Sequence, residues 1–367
     1  MYFKNLDSPR FFAFLVVFLE HIVFTHDSAL RNSPYYLFYR EHFSTIGVLG
    51  WDFYMVLSGF LITWIIIEER LNTSGFNLLH FWLKRCLRIW PLYFLMIAAG
   101  LILDWASLHF LGKEISDVPP LPWLLTFTLN FYLIGHGQNF FFFLVFFWSI
   151  SVEEQCYVLW GITLKWFKKA LVPLCILMLA GSLVFRMAAL HQPSNLYFNS
   201  LSWAGNFACG GLLAYFCIRR KEWLAIAVKI PPPLSIVVYL LFIVNIVFFA
   251  RIYASPVMTV LERIPAMAFF CFLIFEQCFS QNPIFRLGSV PFLNYLGRIS
   301  YGLFCYHGLV ILFYEKITEG IGWINQPAAV FLVNPIIIFA LTIGIAAISY
   351  KYFERPIMHL RKLYHPA

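Results

Sequence analysis

Glu153 and Glu154 stand side by side in FFWSISVEEQCYVLWG, residues 146–161, a run otherwise apolar enough to sit in a membrane. Each charge near a bilayer centre costs roughly 2.5–3.5 kcal/mol even on the lenient insertion scale, so an ionisable group there signals function by default. In a helix, Ser149, Glu153 and Tyr157 share one face at i, i+4 and i+8, while Glu154 is turned about 100° away. A second ionisable pair, Glu20 and His21, lies in NLDSPRFFAFLVVFLEHIVFTH. Arg10 and His21 fall on nearly the same face of that helix, about 16 Å apart along its axis. Counted by helix rise, Glu153 and His21 lie roughly 13 Å and roughly 8 Å below the outer surface, near the same level. An imidazole, with an ordinary pKa of about 6.5, is suited to removing a hydroxyl proton, and a carboxylate beside it can fix its tautomer and stabilise its charged form. The expected chemistry is activation of an alcohol by His21, with Glu153 or Glu20 orienting the ring. The competing structural readings are a histidine bonded to a neighbouring backbone group or water, and a charge pair between Glu153 and Arg186.

Arg85 and Arg88, three apart in HFWLKRCLRIWPLYF, share a helical face just before an apolar run. Two guanidiniums so placed grip phosphate oxygens better than lysines do, although the same spacing serves as charge that sets topology. Asp52, in GWDFYMVLSGFLIT, reads as a residue that orients a partner or caps a helix, and Ser58-Gly59 as a small-residue packing site. His307, near the middle of LGRISYGLFCYHGLVILF, reads as a hydrogen-bonded bundle histidine. Asp7, shortly before Pro9, suits a helix cap. The closing SYKYFERPIMHLRK is basic and amphipathic and is expected on the inner membrane surface.

Membrane helices must hold these residues. The 367-residue chain is 61% hydrophobic and 12% charged, with mean hydropathy +0.76, whereas a soluble domain carries about 25% charged residues. The expected fold is all-α: a polytopic membrane helix bundle in one domain, residues 1–367, without the alternating pattern of a β-barrel. Ten spans are predicted, near 7–26, 47–67, 89–111, 144–164, 170–190, 200–218, 232–250, 257–279, 297–315 and 328–350. The first carries Glu20 and His21 and lacks a cleavage site, so it is not expected to be a cleaved signal. Residues 121–143 are apolar but short for a crossing. Treated as re-entrant or interfacial on the outer side, they leave most of the 26 basic residues inside, Lys165, Lys168, Lys169, Arg219 and Lys362 among them, and both termini cytoplasmic. The net charge of +8 is thereby spread over span ends, which argues against nucleic acid as a partner. The eight cysteines form no CxxC pair and, Cys86 apart, lie in apolar stretches, as packing residues do rather than disulfides or metal ligands. Trp51, Trp123, Trp148 and the run Phe140–Phe147 read as an interface belt in preference to a sugar-stacking surface.

Six stretches together resemble the acyltransferase 3 family of integral membrane acyltransferases. They are LDSPRFFAFLVVFLEH, GWDFYMVLSGFLIT, KRCLRIWPLYF, FWSISVEEQCYVLW, LGRISYGLFCYHGLV and SYKYFERPI, in the family's order across residues 6–357. Pro9, Trp51 and Cys156 depart from the family's Leu, Val and Phe and remove no proposed catalytic group. The resemblance implies transfer of an acyl group, usually acetyl from acetyl-CoA, to a hydroxyl of a cell-surface glycan or lipid-linked sugar, by a multi-pass plasma (inner) membrane protein in contact with membrane lipids. It implies CoA phosphates on Arg85 and Arg88, His21 as the essential histidine, and Arg10 and Glu153 in support. Asp52, Ser149, Tyr157 and His307 are assigned supporting contacts to substrate or to the fold. Some members carry an extracytoplasmic hydrolase-like domain. None is expected here, which leaves the acceptor to the bundle or to a partner. Direct attack and a transient acyl-enzyme both satisfy the sequence.

Two other classes fit a polar cavity in a bundle. A transporter or flippase of lipid-linked glycans would show an inverted repeat or paired broken helices, and neither is visible. A proton-coupled sensor would use the histidine and glutamates as a relay.

Overall fold

The computed structural model describes residues 3–25, 27–72, 75–112, 118–136, 143–167 and 169–361, and every regular element among them is helical. Phe140–Phe142 of the aromatic run, Lys168 and Lys362 lie outside them. The main helices are α1 (Asp7–Ile22), α2 (Pro34–Asn72), α3 (Leu78–Leu111), α4 (Trp148–Trp166), α5 (Leu171–Ala188), α6 (Ser200–Arg219), α7 (Pro232–Val247), α8 (Arg263–Phe279), α9 (Pro291–Arg298), α10 (Ser300–Thr318) and α11 (Asn334–Ser349). Local sequence sets their ends. At the start of α3 the Asn77 side chain accepts the His80 N–H at 3.1 Å. At its other end Gly112, at φ 63°, returns its N–H to the Leu108 carbonyl.

Among the described residues, six stretches are long and apolar enough to cross a membrane: Pro34–Asn72, Leu78–Phe110, Leu171–Ala188, Pro193–Arg219, Pro256–Phe279 and Ala329–His359. A seventh is the pair α9 and α10, bent by 69°. The sequence reading also counted α1, α4 and α7. Of these, α1 and α7 have 16 residues each, about 24 Å at helical rise against a hydrocarbon core of about 30 Å. Helix α4 is long enough but carries Glu153, Glu154 and Lys165. Residues 121–136 form two short helices, Leu121–Leu125 and Leu129–His136, broken at Phe127 with φ 52°, which agrees with a segment too short to cross.

The bundle is organised by α2, which packs along both α1 and α6; α6 in turn packs on α5, α1 on α9, and α10 on α11. Of the apolar stretch of α2, 72% is buried, against 22% for α5. The crossing of α2 and α6 is backbone to backbone. A Cβ on Gly59 would lie 1.9 Å from the Phe207 carbonyl oxygen, and one on Gly210 would lie 1.9 Å from that of Val56. The packing role read for Gly59 is therefore observed, with Gly210 as its counterpart. Two caps differ from expectation. Leu6, not Asp7, holds the cap position of α1, because Asp7 is already helical and accepts from Arg10 at 2.7 Å. Asp52 lies inside α2, since that helix begins at Pro34, so it caps nothing.

Gly59→Ala should force α2 and α6 apart and destabilise the protein by about 1–3 kcal/mol, the usual cost of overpacking. Thermal unfolding in detergent should show a lowered midpoint, while Gly181→Ala, which meets nothing within 4 Å, should leave it unchanged.

Candidate active site

Eight of the ten candidate residues line a single cavity of about 1220 Å³: Arg10, Glu20 and His21 from α1, Arg85 and Arg88 from α3, and Ser149, Glu153 and Tyr157 from α4. The helical spacing of Ser149, Glu153 and Tyr157 thus points one face of α4 inward. Glu154 is turned out of the lining, where it takes the Trp90 indole N–H at 3.4 Å. Because Arg10 and His21 both border the cavity, it extends about 16 Å along α1. That is over half the thickness of a hydrocarbon core.

His21 is held by a residue to which the sequence reading gave a bundle role. Its Nδ1 lies 3.1 Å from Nε2 of His307, and the two rings stack with centroids 5.3 Å apart. Phe146 stacks on His21 at 4.3 Å. His307 is fully buried, and its Nδ1 is 2.5 Å from the Phe304 carbonyl oxygen. A carbonyl only accepts, so His307 carries its proton on Nδ1 and presents a bare Nε2. With both rings neutral, His21 must then donate from Nδ1, which leaves its Nε2 with a free lone pair. Glu20 sits beside that nitrogen, its Oε2 at 4.0 Å. Gly47 makes room for it, because a Cβ there would fall 2.0 Å from the same oxygen.

Glu153 does not orient His21. Its Oε1 accepts the hydroxyls of Ser58 and Tyr157, and among the described residues it has no hydrogen bond or ion pair with His21. Ser58, read as a packing residue, is therefore also a cavity ligand. The Arg85 guanidinium lies 5.7 Å from the Tyr157 ring centroid, so Arg85, Tyr157, Glu153 and Ser58 form one connected set between α2, α3 and α4. Arg186, the alternative partner for Glu153, instead bonds Glu262 at 2.8 Å.

Asp52 and His307 stand outside the lining. Asp52 accepts from Asn206 at 2.7 Å and pairs with Arg263 at 3.0 Å, which makes it the partner-orienting residue that one sequence reading allowed. Arg263 lies over the Trp203 ring at 4.1 Å. Trp203 packs with Trp51 and Trp148, and all three line the cavity. The interface-belt reading therefore fails for Trp51 and Trp148, whose indoles face inward. Trp123 is 36% exposed and lies outside the cavity. The Trp51 indole N–H is buried without a hydrogen-bond partner among the described residues.

The shared proton has a spectroscopic signature. In protein labelled with ¹⁵N-histidine, at a pH where both rings are neutral, His21 and His307 should each show a protonated Nδ1 and a bare Nε2. His307→Phe removes the acceptor and should return His21 to a mixture of tautomers. An Nε2–H form of His21 in the wild type would contradict the geometry.

Comparison with known proteins places the chain. The acyltransferase 3 family, described as an acyltransferase domain, matches residues 3–351. The chain is 25% identical to a provisionally named peptidoglycan O-acetyltransferase, YrhL, of Bacillus subtilis, over 97% of this chain and 55% of that protein. It is 23% identical to a provisionally named O-acetyltransferase of Staphylococcus aureus, over 97% of this chain and 57% of the other. It is 24% identical to the peptidoglycan O-acetyltransferase OatA of Listeria monocytogenes, over 97% and 56%. The chain thus spans a little over half the length of these curated relatives. No solved structure matches it. With the family's pattern running through nearly all of its length, the chain belongs to the acyltransferase 3 family of membrane acyltransferases.

Proposed function

We propose that this protein is a membrane O-acyltransferase that moves an acyl group, acetyl in the first instance, from cytoplasmic acyl-CoA to a hydroxyl of an extracytoplasmic glycan. The observation that carries this reading is the single cavity that borders Arg10, Arg85 and Arg88 as well as His21. Guanidiniums suit the phosphates of CoA, and a histidine with a free Nε2 suits the acceptor hydroxyl. Ten crossings of a plasma (inner) membrane with cytoplasmic termini belong to the same proposal. They put Arg10 at the inner end of α1 and His21 toward the outer end. In that arrangement Arg10, Glu20 and His21 of α1 and Glu153 of α4 face the cavity rather than lipid.

In the proposed step His21 Nε2 takes the acceptor's hydroxyl proton as the oxygen attacks the thioester carbonyl carbon. The C–S bond then breaks, the ester C–O bond is complete, and the imidazolium returns the proton to the departing thiolate. His307 holds the ring so that Nε2 faces the cavity, and the neighbouring Glu20 carboxylate, when ionised, stabilises the transient imidazolium. Glu153, fixed by Ser58 and Tyr157, supports the Arg85 end. The aromatic wall of Trp51, Trp148 and Trp203 offers ring faces to a sugar.

Membranes supplied with radiolabelled acetyl-CoA and peptidoglycan, the glycan in the names of two relatives, test the reading. Label should pass to glycan with the wild type. His21→Ala should lower the rate by about 10²–10⁴-fold, the usual contribution of a general base. Arg85→Ala should act mainly by raising the KM for acetyl-CoA. Label that survives His21→Ala would move the base elsewhere, and CoA binding without transfer to any glycan would overturn the assignment of acceptor.

A further inference from the structure

The C-terminal segment, expected on the inner membrane surface, packs against the bundle with about half of its residues exposed. Helix α11 runs into a π-helical turn, Tyr350–Glu354, and then a short helix, Arg355–His359, and both pack on α3. The segment, packed on α3, brings Arg361 within electrostatic range of Arg88 and Arg85, which line the cavity. The Nε and Nη2 of Arg361 are sealed from solvent, and among the described residues they have no hydrogen-bond partner. Carboxylates are near the other two arginines. Glu153 and Glu154 act on Arg85, and Glu354, which accepts from Ser349 at 3.1 Å, acts on Arg88. Yet among the described residues no side chain or carbonyl accepts a hydrogen bond from Arg85, Arg88 or Arg361, and no carboxylate pairs with any of them.

Three guanidiniums, each with five N–H donors, thus share the α3 end of the protein, and among the described residues none has a hydrogen-bond acceptor. Like charges repel, and a buried donor without a partner is destabilising, the more so when it is charged. An arrangement of this kind becomes favourable when a multivalent oxyanion enters it, because planar guanidiniums bind phosphate oxygens in pairs. We propose that Arg361 completes, with Arg85 and Arg88, a three-guanidinium site for a phosphate ester, closed by the C-terminal segment. Two sources have this chemistry: the phosphates of CoA and the headgroup of an anionic lipid. The CoA source rests on the donor side of the proposed function; the lipid source does not.

The full-length protein in nanodiscs of phosphatidylcholine alone, titrated with CoA, provides the test, with a parallel set containing phosphatidylglycerol for native mass spectrometry of bound lipid. Arg361→Ala should weaken CoA binding at least tenfold, and Arg361→Lys, which keeps the charge but loses the fork, should fall between. Lys351→Ala removes an exposed charge from the same segment and should change nothing. If CoA binding is unchanged by Arg361→Ala but retained phosphatidylglycerol drops several-fold, the site is a lipid-phosphate site. If neither ligand responds, with the variant folded as judged by its melting temperature, the proposal is overturned. Should the wild type bind no CoA at all, the acyl-CoA donor falls, and the lipid measurement still decides whether Arg361 holds phosphate.

Discussion

Charge held within a membrane bundle has to be insulated from lipid, and the architecture follows from that constraint. His21, Glu20, Glu153, Arg85 and Arg88 all border one cavity. The helices with the most lipid-compatible surfaces stand elsewhere: α5 and the stretch Ala329–His359 each bury only 22% of their most apolar windows. The close α2–α6 crossing at Gly59 and Gly210 then fixes the wall that carries Ser58, and through Ser58 the position of the Glu153 carboxylate.

Two buried sets of charge in this bundle solve the same electrostatic problem differently. Around α8, Asp52 and Glu262 face Arg263 and Arg186 in equal number, with Asn206 and Ser202 filling further valences. That set matches two carboxylates to two guanidiniums, and it anchors Trp203 beneath a guanidinium. Arg85, Arg88 and Arg361 have no hydrogen-bonded carboxylate among the described residues, and two nitrogens of Arg361 are buried without a partner. A set balanced in charge braces helices against one another, whereas an excess of guanidiniums suits an anion that arrives from outside.

Much of the site was legible in the sequence because helical periodicity reports which side chains share a face. Ser149, Glu153 and Tyr157, and likewise Arg10 and His21, needed only their spacing to be placed together. What was not legible depends on how helices meet. His307 reaches His21 from α10, almost the whole chain away, so nothing local distinguished it from a buried structural histidine. Ser58 carries no sign of a carboxylate partner from α4. Arg361 lies in a run whose amphipathic pattern suits a membrane surface, and the π-helical turn that precedes it is not revealed by periodicity. The span count differs because α1 and α7 end after 16 residues, which a run of apolar letters does not reveal, and because α4 spends part of its length on Glu153, Glu154 and Lys165.

The hydrogen bond from His307 to the Phe304 carbonyl has a consequence for proton traffic. A relay through the membrane needs each station to receive a proton on one side and release it on the other. The chain of donors that begins at His21 passes to His307 and stops at a peptide oxygen, which has no proton to pass on. The pair is a cul-de-sac rather than a wire. A proton taken up at His21 has no onward path through His307, so this pair does not form a relay across the bundle.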